Sequence, residues 1–120
     1  MMVPRILAIL SSSDIVIEVE IIEMLLEPNT QYLRAKAKLR NGYVLYVTEG
    51  IGETYRRYSY HLQRDDDMIK RWDNAPHWKS IKAFPFHVHL AGNDKPEASM
   101  EVFVDDVLLE LRDLIGEEND

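Results

Sequence analysis

A chain of 120 residues and 14.0 kDa, 46% hydrophobic and 29% charged, is long enough for one packed core, too short for two, and too apolar to be disordered. Having no cysteine, it excludes a disulfide scaffold, a thiol nucleophile and any cysteine-held zinc or iron–sulfur centre. The net charge of −7 disfavours indiscriminate nucleic-acid binding, yet it is unevenly spread: between Arg34 and Lys82, eleven Lys or Arg stand against six Asp or Glu, leaving acidic flanks.

In chain order, Pro4 suits the first turn of a short helix running through Leu10, with Ser11 to Asp14 ending it. The apolar run at 6–10 is shorter than a signal-peptide core or a membrane span, so the cytoplasm is the expected compartment and no membrane association is expected. Residues 15–26 are rich in β-branched side chains and favour a strand, although the spacing of Ile15, Val19, Ile22 and Leu26 also permits a helix. The next pattern is cleaner. Tyr32, Arg34, Lys36, Lys38 and Arg40 alternate with Leu33, Ala35, Ala37 and Leu39, so one set faces the core and the basic set faces outward.

Asn41-Gly42 predicts a type I′ hairpin turn into a strand at 43–49. Residues 50–53 predict a turn, 54–63 a strand, Asp65-Asp66-Asp67 a further turn, and 68–74 another strand. Pro76 and Pro85 bracket an irregular stretch, after which Phe84, Phe86, Val88 and Leu90 alternate with Pro85, His87 and His89. A closing helix has Ser99 as its expected N-cap and Met100, Phe103, Val104, Val107, Leu108, Leu111 and Ile115 as its apolar stripe. Gly116 is its expected stop, and 116–120 its acidic tail. These elements predict one α+β domain over 1–120: an antiparallel meander of five to six strands, a short N-terminal helix, and a C-terminal helix packed on the sheet.

All four histidines, His61, His77, His87 and His89, fall between Tyr58 and His89. If Tyr58, Tyr60 and Leu62 are buried, His61 shares the opposite face with Arg57. If Phe84, Phe86 and Val88 are buried, His87 and His89 point outward together. Three readings follow. Metal-free acid–base cleavage of RNA needs a base, an acid and a cation, which His61, His77, Arg57, Arg71 and Asp73 can supply without a cofactor. A metal-dependent hydrolase is the alternative: His87 and His89 are paired ligands that His61, His77 or Asp73 would complete. A non-enzymatic module would bind protein or nucleic acid through the basic strand. In either nucleic-acid reading, Arg34, Lys36, Lys38 and Arg40 contact the backbone, and Tyr58, if exposed, stacks on a base.

Three strings carry a resemblance: Tyr58-Ser59-Tyr60-His61-Leu62-Gln63, Arg71-Trp72-Asp73-Asn74-Ala75-Pro76-His77 and Phe84-Pro85-Phe86-His87-Val88-His89. They resemble the successive motifs of the TumE family, small prokaryotic toxins of type II toxin–antitoxin pairs, and Asp-Asn-Ala-Pro-His is the most specific part. Phe86 departs from it, standing where a third histidine is common. The resemblance implies a toxin and a co-encoded antitoxin protein as its partner. RNA as the target is read from the histidines and arginines.

Overall fold

The computed structural model describes residues 2–117. Helix α1 (Val3–Ser12) leads into strands β1 (Val16–Leu26), β2 (Gln31–Leu39), β3 (Tyr43–Ile51), β4 (Arg56–Arg64), β5 (Asp67–Asp73), β6 (His87–Leu90) and β7 (Glu97–Ala98), and helix α2 (Val104–Glu117) closes the chain. The strands form one sheet in the order β1 to β7, each antiparallel to its neighbour. This is the expected α+β meander, with more strands than the five to six expected. The short β7 carries no alternation of its own and exists only because β6 offers it an edge.

Strand parity builds the core. Leu33, Ala35, Ala37 and Leu39 of β2, Leu45 and Val47 of β3, Tyr58, Tyr60 and Leu62 of β4, and Trp72 of β5 are all buried on one face. Val3, Ile6 and Leu10 from α1 and Val104, Val107, Leu108, Leu111 and Ile115 from α2 join the same cluster. Both helices therefore lie on one side of the sheet, and the other side is free to carry a site. Among the described residues, no helix is long and apolar enough to cross a membrane.

Local boundaries moved for identifiable reasons. The pairing of Lys38 with Val44 leaves Arg40–Gly42 as a three-residue connection rather than a two-residue hairpin turn, with Asn41 and Gly42 both at positive φ. Strand β3 continues to Ile51 because Gly50 and Ile51 still pair with Arg57 and Arg56. Helix α2 begins later than Ser99, whose hydroxyl bonds the carbonyl of Met100. Phe103 caps it instead, its N–H donating to Asp106 Oδ2 at 2.8 Å. Met100 accordingly falls off the apolar stripe and is 82% exposed. Gly116 does not stop the helix, which runs on to Glu117. Residues 118–120 of the acidic tail lie outside the described residues.

A buried ion pair sits within the core face, and the alternation pattern did not reveal it. Glu49 occupies a core position of β3 and is fully buried, with Arg56 Nε at 3.1 Å from Oε1 and Nη2 at 3.2 Å from Oε2. The Tyr60 hydroxyl also donates to Glu49. The Arg56 guanidinium lies 4.2 Å from the ring centre of Tyr58 and 4.0 Å from that of Phe103. These contacts leave Glu49 compensated and join β3 and β4 to the segment before α2.

Candidate active site

The face away from the helices carries two adjacent rows of paired residues. One row runs Lys36, Tyr46, His61, Arg71, His89 across β2 to β6, and the next runs Arg34, Thr48, Ser59, Asp73, His87. Cross-strand neighbours on one face lie close enough for their side chains to touch. Register alone therefore sets three histidines, an arginine and an aspartate side by side.

The chain after β5 covers them. Asp73 Oδ1 accepts the Ala75 N–H at 3.0 Å, which turns the backbone sharply at the strand end. Asn74 holds the turn against β4: its Oδ1 accepts from Tyr58 N at 2.9 Å, and its Nδ2 donates to Arg56 O at 2.7 Å. Asn74 thus continues the β4–β5 ladder beyond its last backbone pair. The following segment brings His77 and Trp78 over the same face, with Trp78 edge-on to His89 at 6.4 Å between ring centres. The result is a cleft of about 430 Å³ lined by all four histidines together with Arg71 and Asp73.

At the floor of the cleft lies the buried carboxylate of Asp73, 5% exposed. His87 Nε2 is 2.7 Å from its Oδ1, while Arg71 Nε at 3.3 Å and His89 Nε2 at 3.5 Å approach Oδ2. The other ring nitrogen of His87 faces the carbonyl of Pro85 at 2.9 Å. Two acceptor oxygens thus flank one imidazole, so a proton or a cation has to lie between Nε2 and Oδ1. Among the described residues, Asp73, His87 and His89 could together hold a metal ion, their donor atoms lying within 4.8 Å of one another.

His61 stands on the cleft wall. The Gln63 amide donates to Asp65 O at 3.0 Å, which turns its oxygen toward His61 Nε2 at 3.1 Å. Nε2 therefore carries the hydrogen, and Nδ1 keeps the lone pair. Burial holds the pKa of His61 below its usual 6.5, with the charge of Arg71 acting in the same direction. Burial also lowers His89, helped by His87 and Arg71 and opposed by Asp73. Both rings favour the neutral, proton-accepting form near pH 7.

Other expected residues lie elsewhere. Arg57 lines an adjoining recess of about 220 Å³ that shares Arg71 and Asp73 with the cleft. His87 is not outward in the sense of solvent. Its parity is as expected, but the segment at 75–86 folds over that face, leaving it 2% exposed. Tyr58 lies on the core face, 4% exposed beneath Arg56, so its ring is covered and offers no surface to a base. The basic strand is matched by acids: Lys38, Lys36 and Arg34 stand opposite Glu18, Glu20 and Glu23 of β1, and Lys38 pairs with Glu18 at 3.2 Å. Arg40 lies in the β2–β3 connection, beyond that matched run. A depression of about 500 Å³ between α1 and α2 contains no histidine.

Comparison with known proteins finds one family, described as toxin TumE, matching residues 6–118 of the chain. No curated protein and no solved structure matches it.

Proposed function

Because the chain belongs to the TumE toxin family, we propose that its toxic activity is cleavage of RNA in the four-histidine cleft, held in check by a co-encoded antitoxin of a type II pair. The observation that carries this reading is the convergence of His61, His77, His87 and His89 with Arg71 in one cleft. A binding module has no need to gather its titratable side chains in this way. A cleft that holds neutral imidazoles beside a guanidinium suits proton transfer on a phosphodiester.

In this reaction His61, neutral and on the wall, takes the proton of a ribose 2′-hydroxyl. The 2′-oxygen then bonds to phosphorus, and the bond from phosphorus to the 5′-oxygen breaks. His77, exposed at the mouth of the cleft, gives that oxygen a proton. The products are a 2′,3′-cyclic phosphate and a 5′-hydroxyl. Arg71 neutralises charge building on the phosphoryl oxygens, and Arg57 in the adjoining recess holds the next phosphate. Asp73 positions Arg71 and His87. The proton transfers themselves need no metal, and the setting is the cytoplasm, where RNA and antitoxin are at hand.

The test is inducible expression in a bacterium alongside cleavage of labelled RNA by purified protein. Wild type should arrest growth and leave 5′-hydroxyl ends, whereas His61→Ala and His77→Ala, folded by circular dichroism, should each lose about 100-fold or more in cleavage rate and relieve the arrest. Undiminished toxicity in both variants sinks the catalytic reading in favour of the binding module.

A further inference from the structure

At the floor of the cleft, Asp73, His87 and His89 bring one carboxylate oxygen and two imidazole nitrogens within 4.8 Å of one another. The set is held from behind. His87 Nδ1 donates to Pro85 O at 2.9 Å, leaving Nε2 directed inward, and Asp73 Oδ1 takes the Ala75 N–H at 3.0 Å. An imidazole fixed through its rear nitrogen to a backbone carbonyl is the arrangement that orients metal-ligating histidines. His87 and Asp73 are also largely buried, at 2% and 5% exposure, so little bulk water competes with a cation for the carboxylate.

We propose that Asp73, His87 and His89 bind one divalent transition-metal ion whose open coordination position faces the cleft. Two imidazoles and one carboxylate suit zinc, cobalt, nickel, manganese or ferrous iron better than magnesium or calcium, which prefer oxygen. The spacing fits. Ligands of a tetrahedral ion bonded at about 2.0–2.1 Å stand about 3.3 Å apart. His89 Nε2 and Asp73 Oδ2 are already 3.5 Å apart. His87 Nε2 and Asp73 Oδ1, at 2.7 Å, have the separation of a hydrogen bond, which opens when an ion displaces the shared proton. Arg71, 3.3 Å from Asp73 Oδ2, has to withdraw, and its side chain is 45% exposed and can turn into the cleft. Binding of the ion stands independently of the RNA reading. Its role rests on that reading: it polarises a phosphoryl oxygen of the RNA, a task otherwise left to Arg71, while His61 and His77 keep the protons.

The full-length protein, stripped with chelator, is titrated with cobalt(II) and zinc(II), read by the cobalt d–d spectrum and by calorimetry. One ion per chain is expected, with zinc displacing cobalt and the melting temperature rising on loading. His89→Ala and Asp73→Asn should each weaken binding about 100-fold or more, while Glu18→Gln on β1 leaves it unchanged. His89 is the less buried ligand, so its variant keeps the test sound if Asp73→Asn fails to fold. No binding, or binding indifferent to both variants, overturns the site even if the protein cleaves RNA. One-to-one binding lost in the variants upholds the site even if no RNA is cut.

Discussion

At the residue scale, two kinds of buried charge separate structure from chemistry. Glu49 and Arg56 form a closed pair on the core face, satisfied by Tyr60 and by the Val102 carbonyl. Glu49→Ala should destabilise the fold by about 3 kcal/mol in urea titration, because Arg56 loses its buried partner and keeps only the more exposed carboxylate of Glu101, at 3.1 Å. The charges of the cleft are instead open to a ligand. Burial lowers His61 and His89, so their imidazole Cε1 protons should titrate in NMR with midpoints below 6.5. As pH falls from 6.5 toward those midpoints, the unfolded chain binds protons that the folded one refuses. Stability is therefore intact above 6.5 and declines below it, and His61→Gln should shallow that decline.

At the element scale, the strand ends do as much as the strands. The Asp73-Asn74 step terminates β5 with two side chains that bond backbone, one turning the chain and the other gripping β4. Asn74→Ala leaves the Tyr58 N–H and the Arg56 carbonyl without partners. It should cost about 1–3 kcal/mol and remove hydrogen-exchange protection at the Tyr58 amide. The specificity of the Asp-Asn-Ala-Pro-His string thus has a physical division of labour. Asp73 faces the cleft, Asn74 holds the turn, and Pro76 and His77 begin the covering segment. Alternation along β4 and β5 was enough to assign faces, but the covering of β6 was not legible, because a long irregular segment has no periodicity.

At the scale of the whole molecule, the two faces of the sheet divide the work. Helices and core occupy one, and the cleft and its arginines occupy the other. The part of the basic centre that lies on β2 is balanced in space, since β1 sets Glu18, Glu20 and Glu23 against Lys38, Lys36 and Arg34. If RNA enters the cleft, Lys36→Glu should change its affinity several-fold less than Arg71→Ala. Filter binding at two salt concentrations measures this, with the salt slope falling by about 1 for each lost phosphate contact. Equal effects of the two changes would move the RNA path onto the β2 face.

The amino-acid sequence by itself determined the long strands and the faces of β2 and β4. Leu33, Ala35, Ala37, Tyr58, Tyr60 and Leu62 lie on the core side because side-chain direction has a period of two, a local property that needs no partner. The match to the TumE family over residues 6–118 is likewise a property of the sequence alone. Tertiary structure alone decided the rest. Register between strands set His61 beside Arg71 and Asp73 beside His87, and it spent the basic run of β2 on the glutamates of β1. The segment at 75–86 buried His87 and completed the cleft. These are contacts between residues distant in the chain, and their energies depend on what each strand meets, which no local pattern encodes.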